Sequence, residues 1–192
     1  MIDNVDNLKR DLEILEAMAD EMNEYLVSDV LYWNMVKGDM PKLTLGGYLM
    51  REYRLRRLPS LLDEDEQVRL ETAVAKFNEA VTEKIVRVEA HAHEELGVRG
   101  RQWGSYIDDL RRDGVRVAVN YKTAVENRAM IEALVDMLET PPYQLNREKM
   151  GNLGMMDHGL KAFWRNDGFI WPIDWQPAYP QGKFWWLYGN IG

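Results

Sequence analysis

Apolar residues recur every three or four positions along the first 36 residues. That spacing places them on one face of an α-helix, as in the helices of bundles and coiled coils. Asp3 stands where a side chain could cap the start of such a helix. The pattern therefore predicts a first helix over residues 3–36. Its apolar stripe consists of Val5, Leu8, Leu12, Leu15, Ala19, Met22, Leu26, Val30 and Trp33.

The same periodicity returns four more times, between segments that contain glycine or proline. Asp63 and Glu66 have the spacing of a capping box, which marks the start of a helix. Gly97 and Gly100 predict a kink in that helix and not its end, because the stripe keeps its register on both sides. The helices over 3–36 and 63–110 are each expected to exceed thirty residues. The predicted helices after the first cover residues 45–58, 63–110, 117–138 and 146–164.

Residues 166–192 differ from the rest of the chain, because helical periodicity is lost there. This segment holds four of the seven tryptophans and three of the seven prolines. It predicts an irregular, hairpin-like extension with a turn at Gln181-Gly182 that closes the core of a bundle. The expected fold class is all-α: an up-and-down bundle of about five helices over residues 1–165, with the aromatic extension over 166–192 packed on the same domain.

Composition narrows the classes of function. The chain has 192 residues, 46% of them hydrophobic and none of them cysteine. Disulfides, iron–sulfur clusters and a cysteine nucleophile are excluded, and a reducing compartment, the cytoplasm, is expected. We expect no secretory leader, because the first residues contain neither a basic segment nor an apolar segment after it. We expect no membrane partner, because the chain has no run of about 18 apolar residues. No cofactor is expected.

Charge is distributed unevenly within a net charge of −8. Residues 1–36 carry nine acidic and two basic side chains, whereas residues 37–58 carry six basic and two acidic ones. We interpret the two segments as neighbours with complementary charge. The basic run could contact phosphates, yet nucleic acid is not an expected partner because the acidic first helix is nearer. The run comprises Arg51, Arg54, Arg56 and Arg57, with Tyr48 and Tyr53 between them.

Five charged residues fall within or beside the apolar stripes, where a lone charge is costly. We expect them to converge inside the bundle, either as a structural ion network or as the lining of a polar pocket between helices. These residues are Glu52, Arg56, Glu95, Arg99 and Arg128.

Two pairs in the helix from Asp63 have the spacing of metal ligands on one helix face. His91 precedes Glu95 by four residues, and Glu89 precedes His93 by four. The two histidines point to opposite sides of the helix, so one ion cannot bind both. A metal site at His91 and Glu95 is one hypothesis, and ordinary patterning of surface charge is the alternative.

The segment from His158 to Ala162 resembles the histidine-phosphotransfer signature, His-x-Leu-Lys-Gly. The resemblance implies that His158 accepts phosphate on a bundle helix, that Lys161 holds the phosphoryl oxygens, and that Ala162 leaves them room. It covers five residues of the chain. Phe163 and Trp164 depart from the family pattern, which has small residues there.

The chain has no glycine-rich phosphate loop, no Gly-x-Ser-x-Gly elbow and no evident nucleophile–base pair. We therefore expect a non-catalytic helical binding or scaffold protein. The alternatives are a phosphorelay protein using His158, and a bundle that binds a polar small ligand or a metal. Broad apolar stripes on long helices favour a homodimer or another protein as the partner.

Overall fold

A computed structural model describes the backbone of residues 4–192 and the side chains of residues 7–114 and 116–192. The expected cap Asp3 and the side chain of Val5 lie outside the described part. Within it, seven α-helices and one small antiparallel sheet follow one another. They are α1 (Asn4–Val27), α2 (Leu45–Arg57), α3 (Glu64–Thr82), α4 (Ile85–Asp113), α5 (Tyr121–Leu138), α6 (Arg147–Met150), α7 (Leu153–Leu160), β1 (Trp164–Asn166) and β2 (Gly189–Ile191).

The all-α fold with an aromatic C-terminal region is confirmed. α1 packs along α3 and α2, and α5 packs against α2 and α4. The apolar stripe of α1 from Leu8 to Leu26 is buried in these contacts. Among the described helices, none is both long and apolar enough to cross a membrane.

The first helix is shorter than expected, because it ends at Val27 after 24 residues. The chain then turns back along α1. Glu21 on α1 accepts hydrogen bonds from the Trp33 indole at 2.8 Å and from the Val36 backbone nitrogen at 2.9 Å. Trp33 still packs against the core, but from a loop and paired with Leu43. The apolar spacing continued past Val27, so the sequence pattern concealed the end of the helix.

The predicted helix over 63–110 is two helices, so neither predicted long helix reaches thirty residues. The expected capping box is present: Asp63 accepts from the Glu66 nitrogen, and Glu66 accepts from the Asp63 nitrogen. α3 ends at Thr82 and α4 begins at Ile85. Lys84 between them donates to Asn23 of α1 at 2.5 Å. Packing explains the break, since α3 lies on α1 whereas α4 lies chiefly on α5.

α4 passes through Gly97 and Gly100 without interruption, so these glycines do not end the helix, as expected. The kink stays a prediction. Both glycines face α6. A Cβ atom at Gly100 would lie 3.6 Å from the Met150 carbonyl oxygen, and one at Gly97 would lie 3.8 Å from that of Lys149. A Cβ atom at either position would therefore make ordinary van der Waals contact with the backbone of α6.

The predicted helix over 146–164 is divided into α6, α7 and the strand β1. Gly151, with a φ of +66°, separates the two short helices. β1 then pairs antiparallel with β2, and Trp164 lies opposite Ile191. The residues between these strands form 3₁₀ turns, and Trp171, Trp175 and Trp186 are buried in the core.

We predict that Gly151→Ala destabilises the fold by about 1–3 kcal/mol, because its backbone lies in a region that only glycine adopts without strain. Gly154→Ala, in the first turn of α7, is the matched control. Nothing lies within 4 Å of a Cβ atom at either position. The control is expected to gain about 0.5 kcal/mol. Urea unfolding measures both, and equal effects would contradict the prediction.

Candidate functional site

The most buried acidic side chain is Glu95 of α4, which has no exposed surface. Its two carboxylate oxygens accept from the Gly46 backbone nitrogen at 3.1 and 3.0 Å. Gly46 lies in the first turn of α2, where the helix dipole favours a negative charge. A Cβ atom at Gly46 would lie 2.6 Å from Glu95 Oε1. Glycine is therefore what allows the carboxylate to reach the helix end.

Arg99 lies one turn further along α4 and neutralises Glu95. Its Nε donates to Glu95 Oε1 at 2.6 Å, and its two terminal nitrogens donate to Asn127 Oδ1 at 2.9 Å and to Thr44 Oγ1 at 3.1 Å. Asn127 returns a bond to the Arg99 carbonyl oxygen at 3.1 Å. This Glu95–Arg99 network is a fully bonded ion pair that joins α2, α4 and α5.

Arg128 belongs to a different group. Its guanidinium holds both oxygens of Asp157 at 3.1 and 3.0 Å and Glu132 at 2.8 Å. The Trp103 indole also donates to Asp157, at 2.9 Å. The cation lies 4.0 Å from the centre of the Trp186 ring. Arg128 thus links α5 to α7 and to the aromatic extension.

The expected convergence of all five stripe charges is wrong. Glu95 and Arg99 pair with each other, Arg128 has its own partners, and Glu52 pairs with Arg56 at 2.8 Å on α2. The Arg56 side chain is 40% exposed and also lies 3.6 Å from Glu71. Helical periodicity places each charge beside an apolar stripe. Each stripe, however, packs against different helices, so the charges have different partners.

A third buried group was missed by the sequence pattern. Asp11 of α1 pairs with Arg51 at 3.3 Å and also pairs with Arg54. Arg54 donates to Tyr179 at 3.0 Å and lies 3.7 Å from the centre of the Trp175 ring. Burial lowers the pKa of Arg51, and Asp11 opposes this shift. The complementary charge of the two segments was the available signal, and it correctly made them neighbours.

The two histidines of α4 are held in opposite tautomers. His93 Nε2 accepts from the Asn146 backbone nitrogen at 2.9 Å, so its Nδ1 carries the proton and donates to the Glu89 carbonyl oxygen. His91 Nε2 donates to the Ser28 carbonyl oxygen at 3.0 Å, which leaves Nδ1 buried without a partner. In the part of the chain that the structure describes, no three His, Asp or Glu side chains are placed to hold a metal ion.

His158 is exposed in the last turn of α7, a helix of eight residues that packs on α4. Lys161 follows the helix, and its ammonium lies 5.1 Å from the centre of the Trp185 ring. The histidine is thus at the end of a short helix, whereas the resemblance implied a bundle helix. Its role as a phosphoacceptor stays a prediction.

A cleft of about 370 Å³ opens between α4 and α5, and we call it the α4–α5 cleft. Side chains from both helices line it. No Lys, Arg, His, Asp or Glu lines it, whereas four other surface clefts are lined by charged side chains. Its lining includes Gln102, Trp103 and Tyr106 from α4, and Asn120, Thr123 and Asn127 on or just before α5.

Several polar side chains of the α4–α5 cleft have few or no hydrogen bonds to other described residues. The Tyr106 hydroxyl is buried and has no partner, and burial raises the pKa of Tyr106 to about 12. Asn120 and Thr123 make no side-chain hydrogen bond within the described residues. Gln102 makes one long bond, of 3.5 Å, to Tyr32. An unpartnered buried hydroxyl costs about 1–3 kcal/mol. Buried side-chain atoms without a partner also occur outside the cleft, for example at Tyr48 and Arg51.

Comparison of the chain with protein-family models, with curated proteins and with solved structures finds no match.

We predict that Glu95→Gln and Arg99→Met each destabilise the fold by about 3–5 kcal/mol, because each leaves a buried charge without its partner. The double variant is expected to cost much less than the sum. Glu52→Gln and Arg56→Met, at the same spacing on an exposed surface, provide the control and are expected to couple by about 0.2–1 kcal/mol. Additive effects at Glu95 and Arg99 in denaturant unfolding would contradict the prediction.

Proposed function

We propose that this chain is a non-catalytic binding protein with a rigid helical framework. The observation that carries the proposal is that the buried charges are paired with one another. Glu95 is bonded to Arg99, Arg128 to Asp157, and Asp11 to Arg51 and Arg54. A catalytic acid or base needs access to a substrate proton. These charges instead hold helices in place, and binding is left to the surface clefts.

Phosphotransfer at His158 is the rival function, and the exposure of its ring is the observation that favours it. Two features around it fit the family poorly. Lys161 lies over the Trp185 ring, and the neighbouring Asp157 is held by Arg128. Phe163 and Trp164, both half-buried, stand where the family pattern has small residues.

Incubation with acetyl phosphate, and separately with a phosphorylated response-regulator receiver domain, tests this choice. We expect no acid-labile phosphate on His158, because Lys161, which the resemblance assigns to the phosphoryl oxygens, lies over the Trp185 ring. His158→Gln is the control for phosphate on other residues. Label that appears in the wild type and disappears in His158→Gln would establish phosphotransfer and contradict the proposal.

Self-association and a cytoplasmic location belong to the same proposal. The absence of cysteine supports a reducing compartment. The stripe of α1 is covered within the chain, so it no longer supports a homodimer. A different patch does: Val27 and Val30 are exposed near the end of α1, and Val86 is exposed at the start of α4. Arg87 donates to the Val27 carbonyl oxygen at 3.0 Å, so the end of α1 lies close to the start of α4.

Light scattering at micromolar concentration is expected to give a dimer for the wild type and a monomer for Val86→Asp. The substitution suits the first turn of α4, because an acidic residue is favourable at a helix N-terminus. Val119→Asp is the matched control, since Val119 is 82% exposed and Val86 is 83% exposed. A monomeric wild type would refute the dimer.

A further inference from the structure

The α6 segment, by which we mean residues 144–150, is held on α4 by two side chains that accept hydrogen bonds from its backbone. Glu89 Oε2 accepts from the Gln144 nitrogen at 2.9 Å, and His93 Nε2 accepts from the Asn146 nitrogen at 2.9 Å. Glu89 and His93 are four residues apart, so they lie on one face of α4. Asn146 is also the N-cap of α6. The start of α6 is thus fixed to α4 through an imidazole ring.

Only the neutral ring of His93 can make this contact. Its Nδ1 donates to the Glu89 carbonyl oxygen at 2.9 Å, which leaves Nε2 to accept from Asn146. In a charged imidazolium both ring nitrogens are donors, so the Asn146 N–H would face a second donor. His91 and Glu95, whose spacing suggested a metal site, are bonded to other protein groups. We infer that protonation of His93 releases the α6 segment from α4 and so makes the packing of α6 sensitive to pH.

The His93 ring is the group in this region that titrates near neutral pH. Carboxylates ordinarily bind protons at about pH 4, and lysine, arginine and tyrosine lose theirs at about pH 10 or above. Burial raises the pKa of Tyr143, and Glu89 adds to that shift. Carboxylates and cations both surround the ring and offset one another, so the lost acceptor decides the effect of the proton. The charged and titratable groups near His93 are Glu89, Glu94 and Arg101 of α4, Lys149 of α6, and Tyr143.

The rest of the α6 segment is weakly attached, so a single hydrogen bond can decide its position. The residues of the segment are exposed apart from half-buried Leu145 and Met150. α6 has four residues, whereas an isolated helix needs about 12 or more to be stable in water. Beneath it, α4 presents Gly97 and Gly100, which add no side chain to the contact. Release is therefore expected to leave the other helices in place.

The direction of the pH effect follows from linkage. A proton that binds the released form and not the attached form favours release as the pH falls. The ratio of attached to released molecules then falls about tenfold for each pH unit below the range in which imidazole titrates, and it is constant above that range. This sensitivity to pH is separate from the proposed binding function.

The first measurement is the protonation state of His93 in the ¹⁵N-labelled full chain. NMR shifts of the two ring nitrogens distinguish the neutral tautomers from the imidazolium, and they report His91, His93 and His158 separately. At about pH 7.5 we expect the His93 proton on Nδ1. A neutral His93 ring with its proton on Nε2 could not accept from Asn146 and would overturn the inference.

The second measurement is the mobility of the α6 segment, from ¹⁵N relaxation of the Gln144 and Asn146 amides between about pH 7.5 and about pH 5.5. We expect these amides to become mobile with the same midpoint as the titration of His93, while the amides of α5 stay ordered. An α6 segment that stays ordered after His93 is protonated would refute the inference. Equal mobility in α5 would also refute it, because the whole domain would then be unfolding.

His93→Gln is the matched variant, because its side-chain oxygen can accept from Asn146 at every pH. We expect the α6 segment to stay attached in this variant and its response to pH to disappear. His158→Gln, which removes an exposed histidine on α7, is the control and is expected to respond as the wild type does. A response that persists in His93→Gln, or that is lost in His158→Gln, would overturn the inference. A segment that is mobile at every pH in His93→Gln would support it, since attachment would then depend on the Nε2 acceptor.

Discussion

A carboxylate that is completely removed from water needs several hydrogen bonds, and Glu95 obtains them from two helices. The Gly46 nitrogen at the start of α2 and the guanidinium of Arg99 on α4 contact it directly, and Arg99 is in turn held by Asn127 of α5. These bonds form together only in one relative position of the three helices. Losing either member of the ion pair would leave a buried charge uncompensated. The alignment of α2, α4 and α5 thus depends on this ion pair.

The other buried charges follow the same principle at the boundaries of the bundle. Asp11 on α1 pairs with Arg54 on α2, and the Arg54 guanidinium also lies over the ring of Trp175 in the aromatic extension. Arg128 joins α5 to α7 and to Trp186. Apolar burial supplies most of the driving force for folding, but it is not directional. The bonded charges select which helix faces which neighbour.

The α4–α5 cleft differs from these charge groups in its lining. Its polar side chains are neutral, and the Tyr106 hydroxyl in its wall is buried without a hydrogen bond. Asn127 belongs to both regions, since it lines the cleft and holds Arg99. The ion pair therefore supports one wall of the cleft.

The sequence by itself determined the helical class, the capping box at Asp63 and the complementary charge of the first two segments, because these depend on local spacing and composition. Tertiary structure decided where α1 ends, since Glu21 bonds the returning chain, and where α3 gives way to α4. It also decided which stripe charges meet. Periodicity fixes the face on which Glu95 or Arg128 lies, but not which neighbour that face meets. The cleft could not be foreseen for the same reason, because it exists only where Ala124 of one helix lies opposite the aromatic rings of another.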